Sequence, residues 1–209
     1  MKKTAFMATL LAFALFTSCN AQELKTIKLL APTARRGGDL MEAFASRASI
    51  REYDTKELSL QDLSDLLWAA NGLNRVEEKR FTAPTAQNKQ EICLYLLDAE
   101  GAYRYDAFRN ELVPVAKGDF RKVAASRQEF SATAPVTLVI VGDFSAFPPE
   151  RNWTMTDAGY VSQNIYLFCA GNGMATVARG TMDKEGLHKA LGLTAGQQPV
   201  LNHPVGYRK

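Results

Sequence analysis

Two short stretches hold residue types that could do chemistry together. In Arg47-Ala48-Ser49-Ile50-Arg51, an extended backbone sends alternate side chains to one face, so Arg47, Ser49 and Arg51 project together. Two guanidinium forks and a hydroxyl form a receptor for a phosphate or a phosphorylated cofactor. Further along, Ala83-Pro84-Thr85-Ala86-Gln87-Asn88-Lys89-Gln90 offers the amides of Asn88 and Gln90 in a turn begun by proline. A carboxamide both donates and accepts, which suits the polar edge of a heterocycle. Together the two stretches point to a nucleotide-like cofactor, held by phosphate at one end and ring edge at the other. The residues alone leave a second reading open, in which the arginines are simply solvated beside a helix end.

Other chemistries find little support. The chain has two histidines: His188 falls on an expected surface helix and His203 precedes Pro204 in a turn, and both read as structural. They give neither metal-ligand spacing nor a partner for a nucleophilic triad. Gly171-Asn172-Gly173 starts like a dinucleotide loop, but the third glycine is missing and a helix precedes it instead of a strand. Asn152-Trp153-Thr154 matches a glycosylation acceptor only as a short pattern. Cys93 and Cys169 read as buried free thiols, with a disulfide as the alternative.

Taken in order, Arg47-x-Ser49-x-Arg51, a capped helix, Pro84-Thr85-x-x-Asn88-x-Gln90, Gln163-Asn164-Ile165-Tyr166-Leu167, Gly173-Met174-Ala175-Thr176-Val177 and Pro204-Val205-Gly206-Tyr207-Arg208-Lys209 resemble the FMN-dependent nitroreductase family. The likeness runs from about residue 40 to the C-terminus. Tyr103-Arg104-Tyr105-Asp106 and Leu112…Gly118-Asp119 resemble the subgroup near the SagB-type oxidases of peptide maturation. The resemblance implies an α+β fold, a central, mainly antiparallel sheet flanked by helices, and a homodimer built on the helix that carries Ala158, Gly159 and Ser162. It implies that Arg47, Ser49 and Arg51 hold the FMN phosphate and ribityl chain, with Arg208 or Lys209 completing the clamp. Asn88 matches the residue that bonds the flavin pyrimidine edge. Thr85 stands where serine is usual and keeps the hydroxyl, while Lys89-Gln90-Glu91 departs from the family's sequence and leaves the part played by Gln90 open. Ala178, Arg179 and Gly180 align with backbone facing flavin N5, where a main-chain N–H stabilises negative charge and glycine permits close approach. Arg179 stands near where an acidic residue is common, which would favour an anionic flavin or substrate. The implied reaction is a ping-pong hydride relay from NAD(P)H or another donor, through FMN, to a small-molecule acceptor. One FMN is thus expected to span the arginines and Asn88, in a slot between two subunits.

The elements that must position these groups follow from patterning. Met1-Lys2-Lys3 and the apolar run Ala5 to Phe16 read as a secretory leader over 1–21, too short to span a bilayer. Leu15-Phe16-Thr17-Ser18-Cys19 resembles a lipobox with Cys19 as lipid acceptor, and a simple cut after Ala21 is the alternative. Either places the protein outside the cytoplasm, periplasmic or anchored to the envelope by lipid alone. The formal charge of +3 falls by two with Lys2 and Lys3, too little to argue for nucleic acid. Residues 22–38 read as a tether or N-terminal arm, and 39–209 as one domain. Ser59 and Asp62 cap a helix that Asn71-Gly72 ends, and 74–82 reads as a loop. Strands are expected at 92–98, 102–106, 112–116, 136–141, 173–178 and 199–206, with helices at 120–130, 156–170 and 184–191. The aromatic loop from Phe144 to Trp153 reads either as a substrate lid, made of Phe144, Phe147 and Trp153, or as packing. Two rival functions stay open: a flavin-dependent dehydrogenase or oxidase of a peptide or ring substrate, and a surface lipoprotein that keeps the fold for binding. Export also separates the chain from nicotinamide donors, so a redox protein or quinol is an alternative electron source.

Overall fold

Val136-Thr137-Leu138-Val139-Ile140-Val141 is apolar on both alternating faces, and a strand of that kind must be covered on both sides. The computed structural model, which describes residues 23–33, 36–149 and 153–209, places it near the middle of a sheet. In chain order the elements are β1 (Ile27–Lys28), α1 (Leu40–Ser46), α2 (Leu60–Asn71), β2 (Leu73–Arg75), β3 (Arg80–Phe81), β4 (Ile92–Leu97), β5 (Gly101–Asp106) and β6 (Glu111–Lys117). There follow α3 (Arg121–Ala125), β7 (Val136–Asp143), α4 (Trp153–Gly171), β8 (Met174–Thr176), α5 (Lys184–Ala190) and β9 (Gln197–Tyr207). Seven strands form one sheet in the order β1-β6-β5-β4-β7-β9-β8, antiparallel at every pairing. This is the expected α+β architecture. The leader expected over 1–21, with Cys19, lies outside the described residues, as does Asn152.

Period-two alternation sorts the strands between two cores. Ile92, Leu94 and Leu96 of β4 and Val136, Leu138 and Ile140 of β7 pack with Leu66, Leu67 and Ala70 of α2 and Val161, Ile165 and Cys169 of α4. The intervening Tyr95, Leu97, Val139 and Val141 pack with Ala124 of α3 and Leu187 of α5. Cys93 and Cys169 are free thiols.

Helix α2 begins as expected. Ser59 Oγ accepts from the Asp62 amide at 3.1 Å and donates to its carboxylate at 2.6 Å. Four expectations change. Residues 74–82 form the hairpin of β2 and β3. The helix expected over 120–130 breaks after Ala125 into a turn and a 3₁₀ segment at Glu129–Thr133. In place of the lid reading, the three aromatic side chains are packed: Phe147 is buried and meets Trp153 edge to face at 5.3 Å, while Phe144 packs on the main core.

Of residues 22–38, finally, the described ones, 23–33 and 36–38, form an arm and not a tether. Leu24, Ile27 and Leu29 pack on the core, and β1 pairs with β6. Arg36 then locks the arm by ion pairs to Asp62 and Asp65 and a 2.9 Å bond to Asn172. Gly171 is required here, since a Cβ on it would come within 2.3 Å of the Gly37 carbonyl oxygen. Truncating the fully buried Leu66, which fastens α2 to this core, is predicted to cost about 2–5 kcal/mol as Leu66→Ala in urea unfolding. A cost below about 1 kcal/mol would place the α2 contact outside the cooperative core.

Candidate functional site

Helix α1 stops at Ser46, and the chain runs on extended through Arg47 (φ −57°, ψ 121°). The Ile50 amide donates to the Thr176 carbonyl at 2.9 Å, and the Asp54 amide to the Tyr207 carbonyl at 3.0 Å. This segment is thereby stitched to β8 and to the end of β9. Arg47, Ser49 and Arg51 are all exposed. Ser49 Oγ lies 2.8 Å from the hydroxyl of Tyr166 on α4, and the Arg47 guanidinium stacks 5.2 Å from the centre of the same ring. Arg208 joins them through the backbone bridge from Tyr53, its Nε donating to the Met174 carbonyl at 3.2 Å. Among the described residues no carboxylate is in salt-bridge reach of Arg47, Arg51, Arg208 or Lys209. Exposed, unneutralised cations beside a hydroxyl are what a phosphate requires.

Tyr166 is a site residue to which its sequence context assigns no role. Its hydroxyl also accepts the Ala178 amide at 2.8 Å, so one phenol ties the 47–51 segment to the 178–180 segment. Its ring meets the buried His203 edge to face at 5.3 Å. His203 is bonded at both nitrogens, to Ser162 Oγ at 2.8 Å and Thr176 Oγ1 at 3.1 Å. Burial holds its pKa down to about 3, so the ring is a neutral structural group, as expected. In the sequence Tyr166 stands only within Gln163-Asn164-Ile165-Tyr166-Leu167, with nothing local to assign it this role.

The 178–180 segment divides its duties. The Arg179 amide and carbonyl exchange 2.9 Å bonds with Asn202, so that amide is committed to the backbone bridge. The Arg179 side chain is buried. It donates to Gln128 Oε1, Asn202 Oδ1 and the carbonyls of Ala124 and Ala125 at 2.7–3.2 Å, and stacks 5.7 Å from the Phe130 ring. The expectation that Arg179 bears on a flavin or substrate is therefore corrected: its guanidinium closes the broken end of α3. Gly180 is exposed, and a Cβ there would meet nothing within 4 Å, leaving room for close approach.

The amide stretch forms a separate cluster. Gln87, Asn88 and Gln90 sit in the left-handed region at φ 53°, 54° and 54°, each at a cost on the order of 1–3 kcal/mol. The loop is held nonetheless. Thr85 Oγ1 accepts the Gln90 amide at 2.9 Å, Gln90 Nε2 donates to the Lys79 carbonyl at 2.6 Å, and the Ala86 amide donates to Asp157 Oδ2 on α4 at 2.8 Å. Thr85 and Gln90 are thus the clasp of the turn, and Asn88 is exposed at its tip.

Within one chain the two clusters hold to different points of α4. One is anchored at Asp157 and the other at Tyr166, nine residues apart on α4. That is about 13 Å along the axis and half a turn around it. Between these flanks lies the outward face of α4, with Met155, Gly159 and Tyr160, beside Leu40, Met41 and Phe44 of α1. Of the three small residues expected to admit a partner helix, only Gly159 faces out, while Ala158 and Ser162 are buried.

The molecule is thus an α+β fold with an antiparallel seven-stranded sheet and with a basic cluster and an amide loop on opposite flanks of one helix. The sequence profile of the nitroreductase family matches residues 44–207, and the chain belongs to that family. A protein of Methanocaldococcus jannaschii, provisionally named a nitroreductase, is 30% identical over 182 residues, covering 80% of this chain and 90% of that one. The crystal structure of a protein of Ralstonia eutropha JMP134, also provisionally named a nitroreductase, superposes with a TM-score of 0.81 at 32% identity, over 88% of this chain and 90% of that one. A provisionally named NADH oxidase of Clostridium acetobutylicum shares the fold at 20% identity, with a TM-score of 0.56 over 82% and 88% of the two chains. Membership places the chain among oxidoreductases that generally use a flavin. The residues fit such a group: open cations and a hydroxyl for phosphate, a strained loop tipped by a carboxamide for a ring edge, and clear space at Gly180.

Replacing Tyr166 by Phe removes the hydroxyl that Ser49 and Ala178 share, and should cost about 1–2 kcal/mol in urea unfolding. An unchanged midpoint would show that water serves both groups equally well.

Proposed function

We propose that this chain is an FMN-dependent oxidoreductase that acts as a homodimer outside the cytoplasm. The observation that carries the reading is the set Arg47, Arg51, Arg208 and Ser49, open and unneutralised on one flank of α4, with the Asn88 loop displayed on the other. Arg47 and Arg51 bind the FMN phosphate, helped by Arg208 and Lys209, and Ser49 bonds the phosphate or ribityl chain. Asn88 takes the polar edge of the pyrimidine, on a turn that Thr85 and Gln90 keep in shape. The segment from Ala178 to Gly180 passes close to the ring, with Gly180 leaving room for it.

Because the clusters are tied to opposite flanks of α4 within one chain, a single cofactor is best served by two copies. A two-fold pairing across the outward face of α4 and α1 would bury the exposed Leu40, Met41, Phe44, Met155 and Tyr160. It would also bring the basic cluster of one protomer towards the amide loop of its partner. When bound, FMN would supply hydride chemistry, in a ping-pong cycle between NAD(P)H or another donor and a small-molecule acceptor. The protein's own part is binding, orientation and exclusion of water. Lys2-Lys3, the apolar run after them and Cys19 support export, with lipid on Cys19 or a cut after Ala21. Outside the cytoplasm a redox protein or quinol would replace the nicotinamide donor.

The mature protein should take up FMN and show flavin absorbance, and anaerobic titration with a donor should bleach it. Arg47→Ala with Arg51→Ala removes two charged phosphate contacts and should weaken FMN binding at least about a hundredfold. A colourless protein that refuses FMN, or a double variant that binds it equally well, would overturn the assignment.

A further inference from the structure

Glu91 and Asp157 lie under the amide loop, and nothing in the function above uses them. Both are more than nine-tenths buried. The Glu91 carbonyl accepts the Asp143 amide at 3.0 Å, which fixes Glu91 at the mouth of the β4–β7 pair. Thr154 of α4 packs on Gly142 of β7, and Asp157 follows one helical turn later on the same side, bringing its carboxyl within hydrogen-bonding reach of the Glu91 carboxyl. Asp157 Oδ2 meanwhile accepts the Ala86 amide. Both Glu91 carboxyl oxygens are buried without a donor.

Two carboxylates facing each other offer acceptors only, so this arrangement is unsatisfied unless one of them keeps a proton. The charged or titratable groups acting on Glu91 are Asp157 from α4, Asp143 from the end of β7 and the Cys93 thiol of β4. The acids among them repel a second negative charge.

From this geometry we propose that Glu91 and Asp157 share a single proton and act as positioning residues for Asn88, keeping the Ala86–Asn88 turn in its cofactor-binding form only while that proton is held. The acid O–H of Glu91 donates to Asp157, and Asp157 in turn holds the Ala86 amide against the strain of a left-handed turn. Loss of the proton to solvent leaves two anions in contact, and the Asp157–Ala86 bond is what gives way.

The pH window follows from the environment. Burial first, then the proximity of Asp157 and Asp143, raises the Glu91 pKa from 4.5 to about 7. The folded state is thus favoured while Glu91 keeps its proton. That stabilisation is complete below pH 4.5 and is lost as the pH rises through about 7.

The inference rests on the FMN reading, and two measurements separate their failures. On the mature wild-type protein without cofactor, infrared titration should show a protonated-carboxyl band that fades around neutral pH and is absent in Glu91→Gln. FMN affinity, read by quenching of flavin fluorescence, should weaken about tenfold between about pH 6 and pH 8 in the wild type. In Glu91→Gln, whose amide donates to Asp157 at every pH, it should stay level. The proposal is overturned by the absence of that carboxyl band, by a wild-type affinity that is flat with pH, or by a Glu91→Gln variant that keeps the wild-type slope. FMN that binds at no pH would sink the flavin reading, while the infrared band would still decide whether the proton is shared.

Discussion

Helix α4 is the ruler on which the site is laid out. With 3.6 residues per turn, side chains nine positions apart leave a helix on opposite sides, and this chain hangs one half of its site on each. Asp157 grips the amide loop through Ala86, while Tyr166 grips the basic segment through Ser49 and the 178–180 segment through Ala178. The stripe between them is turned towards the sheet, where Val161, Ile165 and Cys169 are buried in the main core. These hydrogen bonds give two exposed segments a common reference in α4.

The polar interior serves the same end. Arg179 spends its guanidinium on the carbonyls left open where α3 breaks. His203 is neutral and bonded on both ring nitrogens, holding α4 to β8 behind Tyr166. Arg36 draws the N-terminal arm onto α2 and α4 through Asp62, Asp65 and Asn172. Each of these three groups supports an element that the site leans on, and leaving its partners unpaired would cost more than the bond contributes. The Glu91–Asp157 pair departs from this pattern, because its satisfaction depends on a proton.

Local patterning made most of the fold legible. Strand alternation in 92–97 and 136–143, the Ser59–Asp62 cap and the Asn71-Gly72 stop all act over a few residues, and each appears where expected. Arg47, Ser49, Arg51 and Asn88 stand out in the sequence by type and spacing, and the structure leaves all four exposed. Tertiary partners decided the rest. Leu24, Ile27 and Leu29 are scattered in polar sequence, and only a free edge on β6 makes them an ordered arm. Phe147 and Trp153 are as suited to a lid as to packing until their burial is known. Arg179 sits beside a cofactor segment in sequence, yet its direction is set by the bridge to Asn202. Tyr166, Glu91 and Asp157 have roles that exist only through residues far away in the chain, even though Tyr166 lies within one of the stretches that carry the resemblance.

The central claim is that one cofactor is held by the basic cluster of one protomer and the amide loop of its partner. Subunit complementation tests it most directly. Arg47→Ala/Arg51→Ala protein and Asn88→Ala protein, each impaired in FMN binding alone, are mixed under conditions that exchange subunits, and bound flavin is measured. A shared site predicts that mixed dimers regain one intact site each, joining the arginines of one chain to the Asn88 of the other. Mixed dimers that bind no more flavin than the separate variants would contradict the account, because every site would then be built from a single chain.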